Sequence, residues 1–126
     1  VTSRIGWKNG VDVFTDIRAR FADFTYTAYV GTHMNLFQEM TFHGEAGLIR
    51  LTAAFNARTF GEASVELHQD GQDVRRRRFP EIDQYKLQVE AFGRSAQNGS
   101  SFPCPLEFSK GTQEMIDLAL ASAETI

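Results

Sequence analysis

Phe42-His43-Gly44-Glu45-Ala46-Gly47-Leu48-Ile49-Arg50-Leu51, read together with Tyr85-x-x-Gln88-x-x-x-Phe92, decides the fold of this chain. The first stretch sets a glycine-bracketed turn between two alternating runs. Glycine enters positive φ without a Cβ penalty, so a short hairpin fits there. The second stretch spaces large side chains by three and four residues, the stripe of an amphipathic helix. A sheet is therefore followed by a helix.

The same alternation extends toward the N-terminus. The first ten residues, with Gly6 and Asn9-Gly10, read as a lead-in and a turn. From Val11 to Phe21 the period is two, with Val11, Val13, Thr15, Ile17 and Ala19 on one face. Asp23 turns the chain into a strand over Phe24–Val30, and 31–35 make a further turn. Strands are predicted over 36–43 and 48–55. A loop follows over 56–61, then strands over 63–68 and 72–79 around Asp70-Gly71, a strong hairpin dipeptide.

After Pro80 the period becomes helical. Asp83 is the predicted N-cap, and Ile82, Tyr85, Val89, Phe92 and Ala96 form one apolar stripe. Asn98-Gly99 ends this helix. Phe102-Pro103-Cys104-Pro105 is an extended connector, and a last helix is predicted from about Ser109 to Ile126. Its apolar residues Met115, Ile116, Leu118, Ala119, Leu120 and Ala123 cover most of its circumference, which predicts burial on more than one side. The expected class is α+β: a predominantly antiparallel, open-faced sheet of about six strands with two C-terminal helices packed on one face.

Composition narrows the function. At 126 residues the chain suits one domain, and 42% hydrophobic with 23% charged residues is ordinary for a globular protein. Eleven Phe imply an aromatic, sheet-rich core. A net charge of −3 argues against nucleic-acid and membrane-surface binding. No apolar run approaches the roughly 20 residues of a membrane helix. The single Cys104 forms no internal disulfide and suits a reducing, cytoplasmic compartment. The start at Val1 is read as that of a fragment.

The glycine-x-x-glycine turn Gly44/Gly47, the strand through Ile49 and Leu51 to Phe55, Phe79, the Tyr85-x-x-Gln88-x-x-x-Phe92 helix and a last helix with Asp117 and Ser122-Ala123 occur in a telling order. From about Val11 onward the chain resembles the C-terminal domain of the Gfo/Idh/MocA oxidoreductases (glucose–fructose oxidoreductase and inositol dehydrogenase). The resemblance implies a parent enzyme that uses NAD or NADP on a sugar, polyol or related carbonyl compound. In that family an N-terminal Rossmann domain carries the cofactor loop and the catalytic lysine. This chain has no G-x-G-x-x-G, so no catalytic residue carries over. The expected roles are the substrate-pocket wall and an oligomer surface. No cofactor is expected on this fragment, which should not turn over substrate alone.

The family places the loop after the Phe55 strand near substrate. Asn56 and Arg58 are therefore candidate substrate contacts, with a polar surface loop as the alternative. Tyr85 and Gln88 are candidates at the pocket edge, while a core ring with a satisfied hydroxyl is the plainer reading of Tyr85. His33, His43 and His68 match no zinc spacing and read as singly bonded or exposed. Arg75-Arg76-Arg77-Arg78 on a strand sends two arginines to each face. It reads as an edge strand paired with acids rather than a nucleic-acid contact. Phe14, Tyr29 and Phe37 lie on mixed strand faces that two helices leave uncovered, so a homo-oligomer through the open sheet face is expected. The rival is a stand-alone, non-catalytic sheet module that binds a small ligand or a protein partner.

Overall fold

A computed structural model describes all 126 residues, Val1–Ile126. The chain divides into two compact units, residues 1–35 with 103–126 and residues 36–102.

The first unit holds strands β1 (Thr2–Lys8), β2 (Val11–Arg20) and β3 (Thr25–Gly31), helix α2 (Leu106–Ala121) and strand β8 (Ala123–Thr125), with sheet order β3-β2-β1-β8. The predicted lead-in is a strand. Ser3, Ile5 and Trp7 alternate with polar neighbours, and Asn9 and Gly10 both take positive φ (54° and 78°), as a two-residue hairpin with right-handed strand twist requires. Ser3, Ile5 and Ala19 are buried, Ile5 to 1% exposure, which contributes roughly 1.5–3 kcal/mol for the Ile side chain. Ser3 Oγ donates to the Ala119 carbonyl of α2, which ties helix to sheet.

The last helix also departs from expectation. It begins right after Pro105 and ends at Ala121, and residues 123–125 add a parallel strand beside β1, closed by Ile126 N–H on Ile5 O at 3.1 Å. Only Ala119 of α2 is buried. The predicted burial on several sides is not met within this chain, and Leu118 and Leu120 are exposed.

The second unit holds β4 (Glu39–Gly44), β5 (Gly47–Thr52), β6 (Ala63–His68), β7 (Arg75–Phe79) and helix α1 (Gln84–Asn98), with sheet order β4-β5-β6-β7, all antiparallel. The Gly44-Glu45-Ala46-Gly47 hairpin forms as predicted, with Gly44 opposite Gly47. Register puts Met40, Phe42, Ile49, Leu51, Val65 and Leu67 on one face, and Glu39, Arg50, Thr52, Ser64, Glu66, Arg76 and Arg78 on the other. The apolar face is incompletely covered, with Phe42 57% exposed.

Two four-stranded sheets thus replace the single sheet of about six strands. The extra strands are β1 and β8. β3 ends at Gly31 and β4 starts only at Glu39, and no ladder joins them. The two helices fall in different units, so they do not share one sheet face. The α+β class and the antiparallel character hold; the one parallel pair is β1 with β8.

Helix α1 begins as its sequence dictates. Asp83 Oδ1 accepts the Tyr85 and Lys86 N–H groups, both at 3.1 Å, and Gly99 closes the helix at φ 70°. Its apolar stripe is not buried within this chain: Phe92 is 65% exposed, with its ring edge-to-face with that of Phe102, centroids 6.3 Å apart. No helix of the chain is long and apolar enough to cross a membrane.

Candidate functional site

The predicted site residues lie in the second unit, on the loop between β5 and β6 and on the first turns of α1. β5 stops because Ala53 turns to φ 46°, a left-handed conformation rare without glycine. Gln38 holds this turn from both ends: its backbone carbonyl accepts the Ala53 N–H at 3.1 Å and its Oε1 accepts the Asn56 N–H at 2.9 Å. Within the loop, Phe60 N–H donates to Asn56 O (3.2 Å) and Arg58 N–H to Gly61 O (2.8 Å). Thr52 Oγ1 donates to Glu62 O at 3.0 Å and closes the loop base. Such internal bonding gives a loop a defined shape.

Helix α1 then docks on it. The Gln84 amide donates to Phe55 O at 3.1 Å, and the Tyr85 hydroxyl donates to Asn56 Oδ1 at 2.6 Å. Arg58 Nη2 donates to Glu81 O at 3.3 Å, and Nη1 lies 3.9 Å from Asp83 Oδ2. Asn56, Arg58 and Tyr85 therefore converge. Tyr85 is 58% exposed, so the core-ring reading is replaced by an exposed ring with a bonded hydroxyl. Gln88 sits three residues on, one turn along α1, exposed and without a side-chain hydrogen bond in the chain. Gln38 and Gln84 escaped the sequence reading, because nothing local marks a glutamine that serves a distant loop.

A second polar constellation covers the charged face of the same sheet. Glu66, only 2% exposed, is met by Arg76, by His68 Nε2 at 3.1 Å and by Arg50 Nη1 at 3.8 Å. Arg50 also pairs with Glu39, and Arg78 with Glu62 through two bonds at 2.5 and 2.7 Å. The His68 hydrogen bond, then those of Arg76, hold the Glu66 carboxyl below the usual glutamate range, against the opposing effect of burial. Arg78 lowers Glu62 in the same way. A shallow recess of about 450 Å³ lies over these groups, away from Asn56 and Tyr85. Its lining carries three arginines and two glutamates, and Glu39 beside it pairs with Arg50, so each arginine already faces a carboxylate. The arginine run thus lies on the edge strand β7 and pairs with acids, as predicted; Arg77 stacks over the Phe79 ring at 5.4 Å.

The residues present do not form a dinucleotide seat. Asp83 occupies the N-terminus of α1, and Glu107 lies in the first turn of α2, so acids stand where a helix would receive a phosphate.

No protein-family profile matches the chain. A curated relative, the uncharacterized oxidoreductase ORF334 of Rhizobium meliloti, is 29% identical over 102 residues, 78% of this chain and 30% of the relative. Among solved structures, the 3-ketoreductase KijD10 from Actinomadura kijaniata, a Gfo/Idh/MocA-type enzyme, superposes in two complexes. One is the complex with NADP and TDP-benzene (TM-score 0.79), the other the complex with NADP (0.78). Each is 17% identical and covers 100% of this chain, which spans 39% and 41% of the respective ketoreductase chains. The chain has the fold of the C-terminal domain of the Gfo/Idh/MocA oxidoreductases, the family its sequence resembles.

Proposed function

We propose that this chain is the sheet domain of an NAD(P)-dependent oxidoreductase acting on a sugar, polyol or related carbonyl compound. The observation that carries this reading is the full-length fit of the chain to two-fifths of a ketoreductase solved with NADP. Residues outside this chain hold the cofactor, which supplies hydride chemistry when bound. This chain binds and orients the substrate.

Asn56, Arg58, Tyr85 and Gln88 form that wall. The Tyr85–Asn56 bond fixes the amide, and the Gln38 clamp fixes the loop that carries it. A donor locked in place loses little freedom on binding, which favours orientation of a hydroxylated substrate. The second role is assembly with another copy through an open sheet face. The exposed Phe42 and Ile49 on the second sheet support it, as does the exposed Tyr29 on β3, whereas Phe37 lies before β4, off the sheet, and Phe14 is half-buried. Cys104, a free thiol, is in keeping with a reducing cytoplasm.

The test is a fluorescence titration of the protein encoded by the whole reading frame with NADPH. Saturable binding is expected, together with a G-x-G-x-x-G encoded upstream of Val1. A protein that binds no pyridine nucleotide would instead be a non-catalytic sheet module.

A further inference from the structure

We propose that the ligand received by this loop is acidic: a sugar or polyol derivative carrying a carboxylate, held by Arg58 and Asn56. The inference rests on the reading of the loop as a pocket wall and specifies what that wall selects.

The argument is a balance of donors and acceptors. Tyr85 commits its only hydroxyl proton to Asn56 Oδ1. That bond engages the amide oxygen of Asn56 and leaves both Nδ2 hydrogens without an acceptor in the chain. Arg58 donates one bond, to Glu81 O at 3.3 Å, from a guanidinium that carries five N–H groups. Its one carboxylate neighbour, Asp83, approaches through Oδ2 only to 3.9 Å, the outer edge of ion-pair range, while Oδ1 caps α1. The Arg58 side chain is 60% exposed, so its fork is open to an incoming ligand.

This cluster is a wall of donors with a weakly compensated positive charge. A neutral polyol hydroxyl both donates and accepts, and such a wall satisfies only its accepting half. A carboxylate is acceptor-only and matches the guanidinium fork with two parallel bonds. The backbone points the same way. Arg58 holds φ 75°, where glycine would be free of strain and arginine is not. Strained backbone of this kind clusters at active sites and ligand clamps.

The experiment is calorimetric titration of the whole protein with D-gluconate and D-glucuronate, against D-glucitol and D-glucose as neutral counterparts. The acids are expected to bind about tenfold tighter or more, from a charge-assisted pair. Arg58→Gln should bring acid affinity down to the level of the neutral compounds, whose own affinity falls far less, while Arg58→Lys keeps part of the preference. Unchanged hydrogen-exchange protection over residues 53–62 shows that the variant loop is folded. Equal affinity for acids and neutral compounds overturns the proposal, as does acid binding that ignores Arg58→Gln. So does binding of glucose 6-phosphate without either carboxylate. If neutral ligands bind and respond to Tyr85→Phe, the pocket reading survives without the acidic ligand. If no sugar-like compound binds, both fall together.

Discussion

Gly47→Ala in the β4–β5 hairpin should destabilise the second sheet severely, whereas Gly44→Ala on the opposite side of the same turn should not. A Cβ at Gly47 would lie 2.4 Å from the His68 carbonyl oxygen and 3.1 Å from Gln69 Cγ. Carbon–oxygen contacts settle near roughly 3.3 Å, so the β5–β6 pairing would have to open by about an ångström. The position also has φ 142°, where a Cβ is strained whatever the space. Overpacking costs about 1–3 kcal/mol and the backbone strain about the same; one opening of the β5–β6 pairing relieves part of both, so a combined loss of about 2–4 kcal/mol is expected. Gly44 meets nothing within 4 Å and has ordinary φ, so alanine there should stabilise by about 0.4–1 kcal/mol through the unfolded chain. Hydrogen exchange read on β5 and β6 peptides reports local opening directly. Gly47→Ala should speed exchange there by about thirtyfold to a thousandfold, and Gly44→Ala should not speed it. Wild-type protection in Gly47→Ala would refute the close approach of β5 to His68.

Three further outcomes follow from named contacts. Asp83→Ala removes the acceptor of two N–H groups and should cost about 1 kcal/mol of first-turn stability, seen as faster exchange at Tyr85 and Lys86, while Asp83→Asn should retain the cap. Gln38→Ala leaves the half-buried Asn56 N–H without its acceptor; a local loss of about 1–3 kcal/mol should appear as lost protection over residues 53–58 with β4 and β5 intact. The carboxyl pKa values of Glu66 and Glu62 are lowered in the fold, so their stabilisation is complete above the ordinary glutamate range and is lost as pH falls through the lowered values, below about pH 4. An acid titration followed by circular dichroism should therefore show a shallower loss in Glu62→Gln/Glu66→Gln than in the wild type.

Much of the second unit was legible in the sequence, because its signals are local. Glycine pairs, Asp70-Gly71, the Asp83 cap and the Gly99 stop each act within a few residues, and each sits where predicted. The period-two pattern of Arg75–Arg78 foretold an edge strand with cations on both faces. The first unit was harder. β1 escaped because Gly6 interrupts its alternation, although the Asn9-Gly10 turn ahead of β2 calls for a strand on its other side. β8 is three residues long and pairs in parallel across the whole sequence, which no local pattern reveals. The stripe of α1 predicted burial that this chain does not supply: an amphipathic pattern shows that a helix needs cover, not where the cover comes from. At the site, Asn56 and Arg58 were reached through the family resemblance, and their bonds to Tyr85 and Glu81 bridge separations that spacing does not encode.

The proposed role of the loop after β5, held by Tyr85, is to position substrate for an NAD(P)-dependent enzyme. A double-mutant cycle on the whole protein tests it most directly: Tyr85→Phe, Asn56→Ala and both together, followed by steady-state NADPH oxidation with the substrate found in the acid and neutral titrations. The lost hydrogen bond, worth about 1 kcal/mol, should raise substrate KM about fivefold in each single variant. The double variant should be little worse than the poorer single, and the KM for NADPH should stay unchanged. A substrate KM identical in all four proteins would contradict the account.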